Sequence, residues 1–102
     1  MIKTTIYLGL QDKDTKQVHF TLDYVQAYLA DMFSEHGATI QRARGLYKYD
    51  DKTIANEPTF IITLFDRVLD DEFYKRVIKE LKNEFNQESI LIERSEVIAQ
   101  FV

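Results

Sequence analysis

The sequence predicts an α+β fold in which two helices cover one face of a four-stranded antiparallel sheet. Three observations support this prediction. Four segments alternate apolar and polar residues, which is typical of half-buried strands, and two others repeat apolar residues with the period of an amphipathic helix. The length of 102 residues suits a single domain, 1–102, which would bury about two-thirds of the unfolded chain's surface.

The first half of the chain predicts a strand, a helix and a second strand. Residues 2–9 alternate apolar and polar side chains, as a strand with one buried face does. Thr21 is a suitable N-cap for a helix over 22–36, and Gly37 suits the left-handed position that follows a helix. Residues 38–49 alternate again and predict the second strand.

The second half predicts a hairpin, a helix and a last strand. A polar turn at 50–53 leads into a strand over 54–65 that is rich in β-branched and aromatic residues. An acidic N-terminus and apolar steps of four predict a helix over 71–86. Residues 89–94 form the last core strand, and 95–102 suit a further strand, a swapped strand or a tail.

The order of these elements, βαββαβ, predicts a ferredoxin-like two-layer sandwich with sheet order 4-1-3-2. In the hairpin, a four-residue turn pairs Tyr47 with Asn56 and Gly45 with Pro58, and places Phe60 beneath the helices. The opposite face of the sheet then carries Lys3, Thr5, Tyr7, Arg42, Arg44, Leu46, Lys48, Glu57, Thr59, Ile61, Thr63, Leu91 and Glu93.

This open face predicts assembly. No predicted element remains to cover it except residues 95–102, and its aliphatic residues would leave an exposed apolar patch, which usually marks a contact surface. We therefore expect a homodimer, or a complex with another protein, formed through the open face.

Charge and composition exclude several classes of protein. Asp and Glu number 17 against 13 Lys and Arg, giving a net charge of −4, which disfavours binding to a phosphate backbone. The absence of Cys excludes a disulfide scaffold and a Cys-ligated zinc module. No apolar run suits an export signal or a membrane span. We expect a cytoplasmic protein that does not bind a membrane.

No pattern indicates a metal, a cofactor or a catalytic motif. His19 and His36 are far apart in the chain and outside any metal-ligand spacing. The stretch from Arg44 to Tyr47 is faintly like a signature of RNA-recognition domains. It lies on the second strand rather than the third, and the predicted register turns Tyr47 inward, so binding to nucleic acid is not expected.

A polar cluster on the predicted open face supplies the ligand-binding candidates. Arg44 lies diagonally across the hairpin from Glu57, with Tyr7, Arg42 and Glu93 nearby. Opposite charges on neighbouring strands stabilise a sheet by about 0.2–1 kcal/mol, which is one explanation of the pair. The other is a small pocket, closed by the dimer, for an anionic metabolite.

Five short motifs resemble one family. They are Tyr7-Leu8-Gly9-Leu10, Gly37-Ala38-Thr39, the stretch from Ala43 to Tyr47, Ile54 followed by Glu57, and the stretch from Phe85 to Leu91. In these the chain is similar to a group of small bacterial proteins classed as a domain of unknown function.

The resemblance implies no activity. It marks Gly45, Glu57, Gln87 and Glu88 as residues that the family pattern repeats. Gln87 and Glu88 also suit a structural role, because their side chains could bond free backbone groups between the second helix and the last strand.

The sequence leaves three functions open. The first is a domain that acts through homodimer or partner contacts on the open face. The second is a small-molecule-binding enzyme or sensor with a polar site on that face. The third is an acidic accessory protein of a mobile element that binds another protein.

Overall fold

The computed structural model describes residues 1–102 and has the predicted order of elements. They are β1 (Ile2–Gly9), α1 (Leu22–Met32), β2 (Thr39–Lys48), β3 (Ile54–Asp66), α2 (Asp71–Phe85) and β4 (Leu91–Glu96). The strands form one sheet in the order β2-β3-β1-β4, and every neighbouring pair is antiparallel. The predicted α+β sandwich and its sheet order are therefore confirmed.

Side-chain caps begin both helices. Thr21 Oγ1 accepts a hydrogen bond from the Tyr24 amide at 3.1 Å, and Asp70 Oδ1 accepts one from the Phe73 amide at 3.1 Å. Each cap satisfies an amide that has no partner inside the helix. α2 ends where Asn86 adopts a left-handed conformation, with φ of 47°.

α1 ends at Met32, about one turn before the predicted end. Ser34 Oγ donates to the Asp31 carbonyl at 3.0 Å, so a side chain competes for a backbone acceptor of the last turn. Gly37, at φ +86°, donates its amide to the Phe33 carbonyl at 2.8 Å. The predicted range 22–36 therefore includes a closing turn that is not helical.

The predicted hairpin register is wrong by one residue. β2 and β3 are joined by a three-residue loop, 50–52, because the Tyr49 amide donates to the Thr53 carbonyl at 2.8 Å. Lys52 closes this loop in the left-handed region, with φ of 73°, as the last residue of a three-residue hairpin loop commonly does. Gly45 consequently faces Glu57.

A shift of one residue exchanges the two faces of β2. Arg42 now pairs with Phe60 on the face that carries the helices. The prediction that Arg42, Arg44, Leu46 and Lys48 lie on the open face is therefore wrong. The open face instead carries, row by row, Thr39, Gln41, Ala43, Gly45 and Tyr47 of β2, with Ala55, Glu57, Thr59, Ile61, Thr63 and Phe65 of β3. It continues with Lys3, Thr5, Tyr7 and Gly9 of β1 and Leu91, Glu93 and Ser95 of β4.

The hydrophobic core lies between the other face and the helices. Phe60, Ile62 and Leu64 of β3 contact the apolar faces of both helices together with Ile6 and Leu8 of β1. The buried helical members are Val25, Leu29, Tyr74, Val77, Leu81 and Phe85.

The sequence after β4 forms no further strand. Val97 and Met1 exchange two backbone bonds, of 2.8 Å and 3.0 Å, and pairing then stops. Ile98, Phe101 and Val102 are exposed. Of the three alternatives for residues 95–102, this chain forms no further strand beyond the end of β4 at Glu96, which leaves a tail or a swapped strand. Neither helix is long and apolar enough to span a membrane.

Candidate functional site

The open face contains a depression of about 660 Å³, at the end of the sheet where β1 ends and the hairpin joins β2 to β3. We call this depression the cleft. Its lining comes from the end of β1, from the hairpin and from the segment before β4. The lining includes Tyr7, Gly9, Gln11, Gly45, Tyr47, Tyr49, Thr59, Gln87, Glu88 and Leu91.

The two glycines on the cleft lining are needed for space. A Cβ atom on Gly9 would collide with the Glu57 carboxylate and lie 2.7 Å from Tyr47 Oη. A Cβ atom on Gly45 would lie 2.6 Å from Thr59 Oγ1. Real Cβ atoms do not approach other atoms this closely, so any larger residue would displace the groups around the cleft.

Glu57 is completely buried beside the cleft. Its Oε2 accepts the backbone N–H of Gln11, and its Oε1 has no hydrogen-bond partner. Burial raises the pKa of Glu57. Two backbone amides partly offset that rise: that of Gln11, which donates to Oε2, and that of Leu10, which lies nearby but donates to the Pro58 carbonyl. A buried polar atom without a partner costs free energy. Glu57 is not itself on the cleft lining, and Gly9, which is, lies directly against its carboxylate.

Two tyrosines stand at the hairpin side of the cleft. The rings of Tyr47 and Tyr49 meet edge to face with centroids 6.0 Å apart. Tyr49 Oη donates to Gln11 Oε1 at 3.2 Å, and Lys16 Nζ lies 3.6 Å from the centre of the Tyr49 ring. Burial raises the pKa of Tyr49. These rings can stack on a flat ligand or contact a cation through their faces.

Gln87 and Glu88 form the side of the cleft near β4. Gln87 Nε2 donates to the carbonyls of Gln11 at 3.0 Å and Phe85 at 3.1 Å, which ties the segment after β1 to the end of α2. Glu88 lines the cleft. Gln87 thus bonds backbone carbonyls after β1 and at the end of α2, and Glu88 is placed on the cleft lining.

The five predicted ligand-binding residues do not form one cluster. Tyr7 Oη donates to Glu93 Oε1 at 2.5 Å on the open face, and this bond raises the pKa of Tyr7. Arg42 bonds Gln26 and Asp23 of α1, on the opposite side of the sheet.

The predicted pairing of Arg44 with Glu57 does not occur. Arg44 donates to Asn56 Oδ1 at 3.1 Å, on the face that carries the helices. The shifted register separates both arginines from Tyr7, Glu57 and Glu93. It also removes the two cations on which the expected anion pocket depended.

Gly9, Gln11, Tyr47 and Tyr49 are the cleft residues that sequence reasoning missed as site residues. The segment after Gly9 contains no regular pattern of apolar residues, so the sequence does not indicate that Gln11 contacts Glu57. If the prediction had assumed a three-residue hairpin loop, it would have placed Tyr47 on the open face. No three His, Asp or Glu side chains come together as candidate metal ligands.

Comparison with known proteins gives a family and three similar structures. The sequence model of a family described as a protein of unknown function, DUF3574, matches residues 3–101. No curated protein matches the chain.

Two of the similar structures are of a phage SAM lyase. The lyase in complex with S-methyl-5'-thioadenosine has a TM-score of 0.70 and 23% identity, over 93% of this chain and 80% of that one. Its apo state has a TM-score of 0.67 and 21% identity, over 92% and 78%. CutA from Pyrococcus horikoshii has a TM-score of 0.58 and 12% identity, over 99% and 88%. At these identities the likeness shows a shared fold.

Proposed function

The chain belongs to the family of proteins of unknown function DUF3574, and we propose that it binds a small organic cation in the cleft, with Glu57 as the buried counter-charge. The observation that carries the proposal is the unpartnered Oε1 of a carboxylate that is completely buried. A cation placed against that oxygen would stabilise both groups, because Coulomb attraction is strong away from water.

The size and chemistry of the cleft support this ligand class. A volume of about 660 Å³ lies within the usual range of small-molecule sites, about 300–1,000 Å³. The charged residues on its lining, Lys13, Lys48, Asp50 and Glu88, are two cations and two anions. The Glu57 carboxylate adds a negative charge beside this balanced set. The ring of Tyr47 adds a surface that attracts cations, whereas Lys16 already covers one face of Tyr49.

The similar phage lyase suggests which cation to test first. That enzyme's structure holds S-methyl-5'-thioadenosine, a nucleoside with a sulfur substituent, and the SAM of its name is a sulfonium cation. In this chain the tyrosine rings would stack on the adenine, and the sulfonium would lie near Glu57. We therefore propose a sulfur-substituted adenosine as the ligand class.

Calorimetric titration with S-adenosylmethionine, S-methyl-5'-thioadenosine and adenosine tests the proposal. We expect the sulfonium compound to bind more tightly than the neutral thioether. In Glu57→Gln, which keeps the side-chain volume and removes the charge, this preference should fall about tenfold. The matched control Glu35→Gln removes an exposed carboxylate far from the cleft and should keep the preference.

Two results would refute the proposal. One is the absence of heat and of any thermal shift with all three compounds at millimolar concentration. The other is an unchanged sulfonium preference in Glu57→Gln, provided that its circular dichroism matches that of the wild-type protein.

We also propose that the chain forms a homodimer through the open face, and a specific observation supports it. Leu91 of that face is 64% exposed, and Ile98 and Phe101 beyond β4 are more exposed still. Leu91 and Ile98 lie at opposite ends of β4, and exposed apolar side chains along an uncovered sheet face favour contact with another protein surface.

Light scattering coupled to size exclusion tests the homodimer. We expect a dimer at micromolar concentration, and we expect Leu91→Asp combined with Ile98→Asp to shift it towards a monomer. A wild-type protein that stays monomeric over a hundredfold concentration range contradicts self-association and leaves contact with a different protein as the role of this surface.

A further inference from the structure

A second groove, separate from the cleft, runs between α2 and β4 and has a volume of about 510 Å³. Lys75, Lys79, Lys82 and Arg94 line it, and Asp71 is its one acidic lining residue. We call it the basic groove. We propose that the basic groove binds an extended acidic peptide of another protein, which adds as a strand to the free edge of β4.

The positive charge of the groove is concentrated and mostly unpaired. The three lysines recur at i, i+4 and i+7, so they lie along one face of α2. Lys75 has a 3.7 Å contact with Glu72, and both side chains are largely exposed, so the pair is weak. Lys79, Lys82 and Arg94 form no ion pair. In a chain of net charge −4, this concentration of cations favours an anionic partner.

The floor of the groove is apolar. Ile78 of α2 and Ile92 of β4 line it beside the ring of Tyr74, and Arg94 lies over that ring with Cζ 4.8 Å from its centre. A partner that combines acidic with apolar side chains therefore fits better than a bare polyanion such as nucleic acid.

β4 offers a free hydrogen-bonding edge beside these cations. It pairs only with β1, and Met1 and Val97 exchange both of their backbone bonds. Because bonded pairs alternate along an antiparallel ladder, the backbone groups of Ile92 and Arg94 point away from β1. The same two residues place their side chains in the groove, so an added strand would lie next to the lysines.

Repulsion between like charges disfavours a second copy of this chain as the added strand. The other edge strand, β2, carries Arg42, Arg44 and Lys48 on the corresponding face and would repel the groove. Two β4 edges would bring two sets of lysines together. An acidic peptide avoids both conflicts, and the six residues of β4 accommodate a peptide of similar length, about 20 Å when extended.

Fluorescence anisotropy with a labelled peptide tests the inference. The probe is the acetylated hexapeptide Glu-Val-Glu-Val-Glu-Val, and the comparison is the same peptide with Lys in place of Glu. We expect the acidic peptide alone to bind, and its binding to weaken as salt rises from about 0.05 M to about 0.3 M. Lys79→Glu should weaken binding about tenfold. Arg67→Glu, the same charge change at an exposed site outside the groove, should have little effect.

A second probe separates strand addition from simple charge attraction. The acidic hexapeptide with alternate N-methylated amides keeps its charge but cannot pair along one edge, and we expect it to lose binding. Three results would overturn the inference: no binding of the acidic peptide at low salt, equal binding of the N-methylated peptide, or tighter binding of a single-stranded oligonucleotide. The first result would leave the lysines as charges that protect a strand edge against aggregation, the second would reduce the contact to charge attraction, and the third would assign the groove to nucleic acid.

Discussion

At the scale of single residues, Glu57 is a buried group whose burial costs the folded state free energy. A carboxylate with one unpartnered oxygen is disfavoured in a protein interior, and its burial raises its pKa. Sequence reasoning identified Glu57 as a candidate because it was expected diagonally across the hairpin from Arg44 and because it belongs to a family motif. Its burial could not be predicted, because it depends on the return of Gln11 across the strand end.

The contact between Gly9 and Glu57 gives a prediction about stability. Gly9→Ala places a methyl group against the carboxylate, and we expect a loss of about 1–3 kcal/mol in the free energy of unfolding. Shortening the carboxylate in Glu57→Ala should relieve the clash. A double-mutant cycle by urea denaturation would measure the coupling, and strictly additive losses would contradict the contact.

His36 predicts a pH dependence of stability. Its Nδ1 lies 2.9 Å from the Gly37 carbonyl and its Nε2 2.7 Å from Asp66 Oδ1, so only the doubly protonated ring donates to both acceptors. Burial lowers the pKa of His36, but the hydrogen bonds to Gly37 and Asp66 and the Asp66 charge produce a net rise above 6.5.

The sign of this effect follows from linkage. A raised pKa in the folded state stabilises the protein fully below the unfolded value of 6.5, and the stabilisation disappears as pH rises through the folded pKa. The difference in unfolding free energy between wild type and His36→Gln should therefore shrink over that range. A difference that grows with pH in urea denaturation would contradict the doubly protonated ring.

At the scale of elements, the strands and helices follow from sequence pattern, but the pairing of β2 with β3 does not. The period of two identified both strands within about two residues. The register depends on whether the hairpin loop has three or four residues, and a left-handed Lys52 gives no distinctive sequence signal. One loop residue thus decided which face Arg42, Arg44 and Tyr47 occupy.

The hairpin loop gives a prediction of its own. Lys52 has a φ of 73°, where glycine has no steric cost. We expect Lys52→Gly to stabilise the protein by about 0.5–1 kcal/mol, with the register unchanged. Thermal unfolding would measure the gain. As a control, Lys48→Gly in β2 should destabilise the protein, and a loss of stability in Lys52→Gly would contradict the left-handed loop residue.

At the scale of the whole molecule, two helices cover one face of a four-stranded sheet and leave the other uncovered. The order of elements predicted that uncovered face. The cleft could not be predicted, because it combines the end of β1, the hairpin and the segment around Gln87, which are distant in sequence. The basic groove lies between α2 and β4 on the side of the sheet that carries the helices, and it shares no lining residue with the cleft.

The carboxyl carbon of Glu57 offers the most direct test of the central claim that this residue is the counter-charge for a bound cation. Carbon-detected NMR would follow its titration without ligand and with saturating S-adenosylmethionine. A cation beside the carboxylate favours its charged form, so we predict that the ligand lowers the pKa of Glu57. A pKa of Glu57 that is the same with and without the ligand would contradict the claim.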